Sequence, residues 1–177
     1  MKIIKLRSNT CIYICMIVVY CIIMLLASCG IYSFTGASIP TEAKTVSVQY
    51  FSNKAATVQA TLSQVFTERL KDMFVEQTNL TLSKNEGDLA FSGYISKYQI
   101  KPMAIKADET AGQNRLTIAV KVTYHNSFDA KSSFEQTFSR YRDYESSQNI
   151  SDIESVLIEE ITNELVEDIF NKAFVNW

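Results

Sequence analysis

Cys29 is the side chain in this sequence whose position by itself points to a covalent reaction. It ends the tetrapeptide Leu26-Ala27-Ser28-Cys29, which closes an apolar run beginning at Cys11 behind Lys2, Lys5 and Arg7. Basic residues hold the first segment in the cytoplasm, the stretch from Cys11 to Leu26 partitions into the bilayer, and small residues ahead of Cys29 admit a peptidase. This is the pattern of a bacterial lipoprotein signal, spanning residues 1–28, with Cys29 as the lipid-bearing first residue of the mature chain. The competing reading is an uncleaved helix, because the apolar run is only slightly short of the roughly 20 residues that span a bilayer. A plain anchor has no use for a cysteine placed after Ala27 and Ser28. Each buried methylene contributes about 0.8 kcal/mol, so several acyl chains make a lasting membrane attachment.

Cys11, Cys15 and Cys21 lie in the segment to be removed, which leaves Cys29 as the last cysteine. The mature chain then has no internal disulfide, Cys-based metal site or redox pair, and it folds on its core alone. Loss of Lys2, Lys5 and Arg7 leaves 14 basic residues against 19 acidic ones, a net charge of -5. A domain that grips a phosphate backbone carries a basic stripe, and none is present, so nucleic acid is not an expected partner. A polyanionic ligand such as a lipid A head group would have to meet a local cluster of cations against the overall charge.

Catalytic signals are weak. His125 is the sole histidine, on the polar parity of its strand, and no serine sits in a Gly-x-Ser-x-Gly elbow. Carboxylates gather at Glu154, Glu159, Glu160, Glu164, Glu167 and Asp168, but largely opposite an apolar stripe, which reads as a solvated helix face. No glycine loop for phosphate is present, and neither a cofactor nor a metal is expected. Lys97, Lys101, Lys106, Arg115 and Lys121 fall in one strand–loop–strand region, interleaved with Tyr94 and Tyr98. This is the candidate anion-binding or partner-binding patch; the plainer alternative is a hairpin whose lysines discourage unwanted strand pairing. Arg140-Tyr141-Arg142-Asp143-Tyr144 has an interface-like composition, yet such residues also end ordinary strands.

The elements that position these residues follow from periodicity. Residues 29–43 hold Gly30, Gly36 and Pro40 without hydrophobic periodicity and read as a lipidated tether; residues 44–177 suit one domain. Thr45 to Phe51 alternates as a strand, and Val58, Leu62, Val65, Phe66, Leu70, Met73 and Phe74 predict one long helix from about Ala56 to Gln77. A short β segment at Leu80 to Leu82 and a turn at Asn85 to Asp88 follow. Leu89 to Ile100 is a strand whose buried parity switches near Ser96, which calls for a bulge. Lys101 to Gln113 reads as a long hairpin loop. Asn114 to Asn126 and Ser132 to Tyr141 are further strands. Ser151 with Glu154 has capping-box spacing at the start of a final helix carrying Ile153, Leu157, Ile161, Leu165 and Ile169 on one stripe. The predicted fold class is α+β: a largely antiparallel four-stranded sheet with two helices packed on one face, the other face left open.

With these residues laid out, the chain resembles the LptE family of lipopolysaccharide-assembly lipoproteins, in its Bacteroidetes-like form. The likeness rests on Cys29-Gly30-Ile31-Tyr32-Ser33-Phe34-Thr35-Gly36, on Val48-Gln49-Tyr50-Phe51 with Asn53, and on Gly87-Asp88-Leu89 leading to Phe91 and Gly93. It continues in Asn114-Arg115-Leu116, in Phe138-Ser139 and in the ending from Ile169 to Trp177. The resemblance implies two helices on a four-stranded sheet. It also implies a non-enzymatic partner of LptD, a large outer-membrane β-barrel, sitting in the barrel lumen as a plug and assisting its assembly and lipopolysaccharide delivery. Gly30 after Cys29, in place of aspartate, is similar to the outer-membrane sorting pattern of many Gram-negative lipoproteins. Other functional classes are a general adaptor or pilot lipoprotein for another barrel or a secretin, and a tethered hydrolase that would have to use His125.

Overall fold

Val46 and Val48 alternate with Thr45 and Ser47 along the first strand, β1 (Thr45–Val48), where Val46 and Ser47 are buried and Thr45 and Val48 are half-buried. The computed structural model describes residues 39–103 and 112–175, with Met16 and Ile17; Cys29 and Lys106 lie outside the described residues. Ile39 and Ala43 already pack against the core ahead of β1. Among the described residues no helix is long and apolar enough to cross a membrane.

The chain continues through β2 (Ser52–Asn53), helix α1 (Leu62–Gln77) and β3 (Thr81–Leu82). It then enters the three long strands β4 (Leu89–Pro102), β5 (Gln113–Asn126) and β6 (Phe134–Glu145), and ends in helix α2 (Ile150–Phe174). The spatial order is β3-β1-β4-β5-β6, with β2 also paired to β4. β4, β5 and β6 form an antiparallel meander, whereas β1 runs parallel to both β3 and β4, and β2 parallel to β4.

The sheet is therefore mixed and six-stranded, not the largely antiparallel four-stranded sheet expected from the sequence. Two causes account for the difference. A helix lies between β1 and β3, and a crossover of that kind returns the chain to the same end of the sheet, so the strands it joins run parallel. The expected strand Thr45 to Phe51 also stops at Val48, and a further short strand that was not expected begins at Ser52. Val48 pairs with Phe91 but Ser52 pairs with Tyr94, and in the jog between them Phe51 turns fully into the core, its amide donating to Thr67 Oγ1 at 3.1 Å.

The bulge expected in β4 is present. Pairing passes from Ile95 opposite Val120 to Lys97 opposite Ala119, leaving Ser96 unpaired. Leu89, Phe91 and Ile95 are buried before it, and Tyr98 after it. Gly93, with φ +154°, permits the close approach of neighbouring chain here: a Cβ would lie 2.0 Å from the Lys121 carbonyl oxygen and 2.7 Å from the Phe51 ring.

Both helix starts differ from expectation. α1 begins at Leu62, not near Ala56, because Gln59 Oε1 accepts from the backbone amides of Thr61 and Leu62, both at 2.8 Å, and takes up free N–H groups of the first turn. α2 begins at Ile150, where the Asn149 side chain accepts from the Ser151 amide. Glu154, expected to complete a capping box, is used elsewhere: it accepts from the Tyr98 hydroxyl, and Gln59 Nε2 lies 3.5 Å from its other oxygen. β4, α2 and the segment before α1 meet at that carboxylate.

Both helices cover one face of the sheet. The core between them is largely aromatic at one end, with Phe74 4.6 Å from Phe91, Phe91 4.7 Å from Tyr124, and Phe174 closing edge-on against Phe74 at 5.8 Å. Phe174 belongs to the chain ending quoted in the family resemblance, and burying such rings supplies much of the apolar area a disulfide-free domain needs.

Candidate functional site

Among the described residues, no helix or strand packs on the side of the sheet away from the helices. Alternation along β4, β5 and β6 places on it Ala90, Ser92, Tyr94, Lys97, Gln99 and Lys101; Arg115, Thr117, Ala119, Lys121, Thr123 and His125; and Glu135, Thr137, Ser139, Tyr141 and Asp143. Not one is a large aliphatic residue. Backbone pairing aligns them in rows: Lys101–Arg115–Asp143, Lys97–Ala119–Ser139, Tyr94–Lys121–Thr137 and Ser92–Thr123–Glu135. The bulge at Ser96 brings Lys97 and Lys101 onto this face, since without it they would share the parity of the buried Ile95.

Lys97, Lys101, Arg115 and Lys121 thus share one surface, as their spacing suggested. They are not equivalent. Arg115 donates through Nε and Nη2 to both oxygens of Asp143, at 2.6 and 2.7 Å, and its guanidinium carbon lies 3.7 Å from the centre of the Tyr141 ring. Lys121 Nζ lies 2.6 Å from Glu135. These hydrogen bonds hold the Asp143 and Glu135 carboxyls below their ordinary pKa range and raise Arg115 and Lys121 in turn. Lys97 and Lys101 are exposed and form no ion pair among the described residues. Lys54 Nζ sits 4.5 Å above the Tyr94 ring, adding a cation to the same side. The face offers a polar, hydrogen-bonding wall with two aromatic rings and two uncommitted amines.

At the β1 end of this face, His125 lines a hollow of about 360 Å³ with Ser47, Gln49, Ser92 and Lys84. Among the described residues it makes no hydrogen bond to a hydroxyl or carboxylate, so the nucleophile–base–orienter chain of a hydrolase is not assembled around it.

Arg140 and Arg142 project to the opposite side. Arg140 forms a two-point pair with Asp168, both bonds 2.6 Å, and Arg142 reaches Glu160 at 2.8 Å and Glu164 at 2.6 Å. Glu160, Glu164 and Asp168 are therefore a clasp between β6 and α2, not merely solvated. Its signal lay in two matching spacings: acids at every fourth helical residue opposite arginines at alternate strand residues.

The Gly87-Asp88 pair is a splice between β1 and β4. Asp88 Oδ2 accepts from the Lys44 and Thr45 amides, both 2.9 Å, and from Thr45 Oγ1 at 2.8 Å, which lowers its pKa below the ordinary 3.8. A Cβ on Gly87 would stand 2.9 Å from the Ser47 amide nitrogen. Both residues are needed where the parallel strand is held.

Several solved structures are similar to this chain in part. A minor lipoprotein from Acinetobacter baumannii matches with a TM-score of 0.49 and 15% identity, over 73% of this chain and 91% of that one. The rare lipoprotein B from Shewanella oneidensis matches with a TM-score of 0.43 and 13% identity, over 72% and 92%. No curated protein sequence matches. The model of the lipopolysaccharide-assembly family LptE matches residues 43–173, which take in every strand and nearly all of both helices. The chain belongs to the LptE lipopolysaccharide-assembly family.

Proposed function

We propose that this protein is an outer-membrane lipoprotein, held at the periplasmic face by acyl chains on Cys29, that acts as plug and assembly partner of an LptD-type β-barrel in lipopolysaccharide transport and insertion. Family membership and one observation support this reading: among the described residues no element packs on the face of β4, β5 and β6 away from the helices, and that face is polar where a sheet that packs on lipid or on a second core would be apolar. Barrel lumens present hydrogen-bonding walls of the same character. A rigid sheet backed by two helices and an aromatic core suits a component that must keep its shape inside another protein.

Lipopolysaccharide contact on this reading falls first to Lys97 and Lys101, whose amines form no ion pair among the described residues, with Lys106 kept in the proposed patch on its place in the sequence. Arg115 and Lys121 take part by exchanging Asp143 and Glu135 for a phosphate. The protein is not an enzyme on this reading, and its role is positional. The deciding experiment is affinity purification of the full-length protein from solubilised envelopes. An LptD-type barrel as the dominant co-purifying protein is expected; a secretin or an unrelated barrel in its place would refute the assignment.

A further inference from the structure

On the side of the helices away from the sheet, α1 and α2 diverge around a cleft of about 580 Å³ lined by Val65, Glu68, Arg69, Asp72 and Glu76 from α1 and Ser155, Glu159, Thr162 and Asn163 from α2. Its charge is unbalanced. Arg69 is the cation in the lining, and it is already committed, its Nε donating to Asn163 Oδ1 at 2.7 Å and its Nη1 to Glu76 at 3.2 Å. Lys71 holds Glu68 at 2.9 Å. Asp72 and Glu159 have no ion-pair partner among the described residues. The contrast lies within α2 itself: Glu160, Glu164 and Asp168 are matched by arginines of β6, whereas Glu159, on the next face, meets none.

A second observation points into the same cleft. Thr162, which lines the cleft, is 1% exposed, and among the described residues its hydroxyl oxygen has no hydrogen-bond partner, not even the carbonyl one turn back that a helical threonine usually takes. Thr67, equally buried in α1, donates to Ser63 O at 2.7 Å and accepts from Phe51 N. An orphan hydroxyl in a folded interior is destabilising unless a partner arrives.

We infer that this cleft receives an arginine from a basic segment of a partner protein, its guanidinium set between Asp72 and Glu159 and within reach of the Thr162 hydroxyl. Acceptors spread over two helices suit a planar group with five donors better than a compact ammonium. Val65 gives the aliphatic stem an apolar wall. The inference does not depend on the barrel assignment, since any partner with such a segment satisfies it.

The test is an amide NMR titration of the full-length chain in nonionic detergent at low ionic strength, with the blocked tripeptide acetyl-Arg-Ala-Arg-amide. Saturable shifts at Asp72, Glu159, Thr162 and Asn163 are expected. Asp72→Asn combined with Glu159→Gln should weaken binding about tenfold, or about 1.4 kcal/mol, while Glu42→Gln with Glu167→Gln, the same change in net charge outside the cleft, should leave it unchanged. Thr162→Val preserves shape, so it should melt no lower than the parent and still bind about threefold more weakly, as loss of one hydrogen bond implies. Equal weakening by the two charge variants, or the same shifts at the same midpoint with magnesium chloride or spermidine, would mean a diffuse cation atmosphere and overturn the site. Full-strength binding by Thr162→Val would equally remove the reason to place the guanidinium between the helices.

Discussion

Arg115 commits Nε and Nη2, one edge of its guanidinium, to the two carboxylate oxygens of Asp143, at 2.6 and 2.7 Å, on the open face of the sheet. An anion arriving there must displace a bidentate carboxylate, whereas at Lys97 and Lys101 it meets amines with no such competitor. Lys97→Glu with Lys101→Glu is therefore expected to reduce lipopolysaccharide binding several-fold, and Arg115→Gln to reduce it less. Calorimetric titration with purified lipopolysaccharide checks the order; a larger loss from Arg115→Gln would reverse the ranking.

Gly93→Ala should be among the most damaging single-methyl changes in the domain. The added Cβ would stand 2.0 Å from the Lys121 carbonyl oxygen, at a φ of +154° that L-residues rarely adopt. Relief requires β4 and β5 to separate or Phe51 to leave the core, a cost of roughly 2 to 5 kcal/mol. Urea unfolding monitored by circular dichroism measures it directly.

Tyr98→Phe removes the phenol that donates to Glu154 and loosens the junction of β4 with α2. Burial and the neighbouring carboxylate hold that phenol well above its ordinary pKa, so it stays protonated and remains a donor through mildly alkaline solution. The loss of a hydrogen bond to a charged acceptor predicts destabilisation of about 1–2 kcal/mol. The mutant's melting temperature should fall, with little change in far-ultraviolet circular dichroism.

Asp88 makes acid sensitivity local. Its folded pKa is depressed by hydrogen bonds from Lys44 and Thr45, so its contribution to stability is complete above its ordinary value of 3.8 and disappears as pH falls through the lower folded value. Asp143, Glu135 and Glu164 act in the same sense. Stability should hold at neutral pH and decline below about pH 4. Asp88→Asn should flatten that decline, and hydrogen exchange should reveal the lost protection first at the Thr45 amide.

On the proposed anchoring, Cys29→Ser removes the thiol that would be acylated, and the protein is then expected to leave the outer-membrane fraction. Fractionation of envelopes against inner- and outer-membrane markers reads the result. Full outer-membrane retention of a cleaved, unlipidated form would contradict the anchor.

Local pattern was enough to find the three long strands and most of their faces. Alternation in Leu116, Ile118, Val120 and Val122 defined the buried side of β5, and the parity change between Ile95 and Tyr98 required the bulge that the structure contains. The stripe Leu157, Ile161, Leu165 and Ile169 placed α2 on its core. Spacing placed Lys97, Lys101, Arg115 and Lys121 in one strand–loop–strand region, and the observed register with its bulge sets them on one surface. Helix starts were harder to read: Gln59 ends the run-in to α1 through its own carboxamide, and Asn149 caps α2 two residues before the serine whose spacing suggested the role.

By itself, the sequence determined the three long strands, the bodies of both helices and the apolar side of each, since these depend on periods of two and 3.6 residues. Tertiary structure alone decided that β1, β2 and β3 join the meander in parallel, that Arg115 is claimed by Asp143, and that Arg140 and Arg142 clasp Glu160, Glu164 and Asp168. The physical reason is range. Alternation assigns a residue to a face but names no neighbour, and the partners in each of these pairs are brought together from 18 or more residues apart along the chain, or from across an intervening helix, only when the layers close.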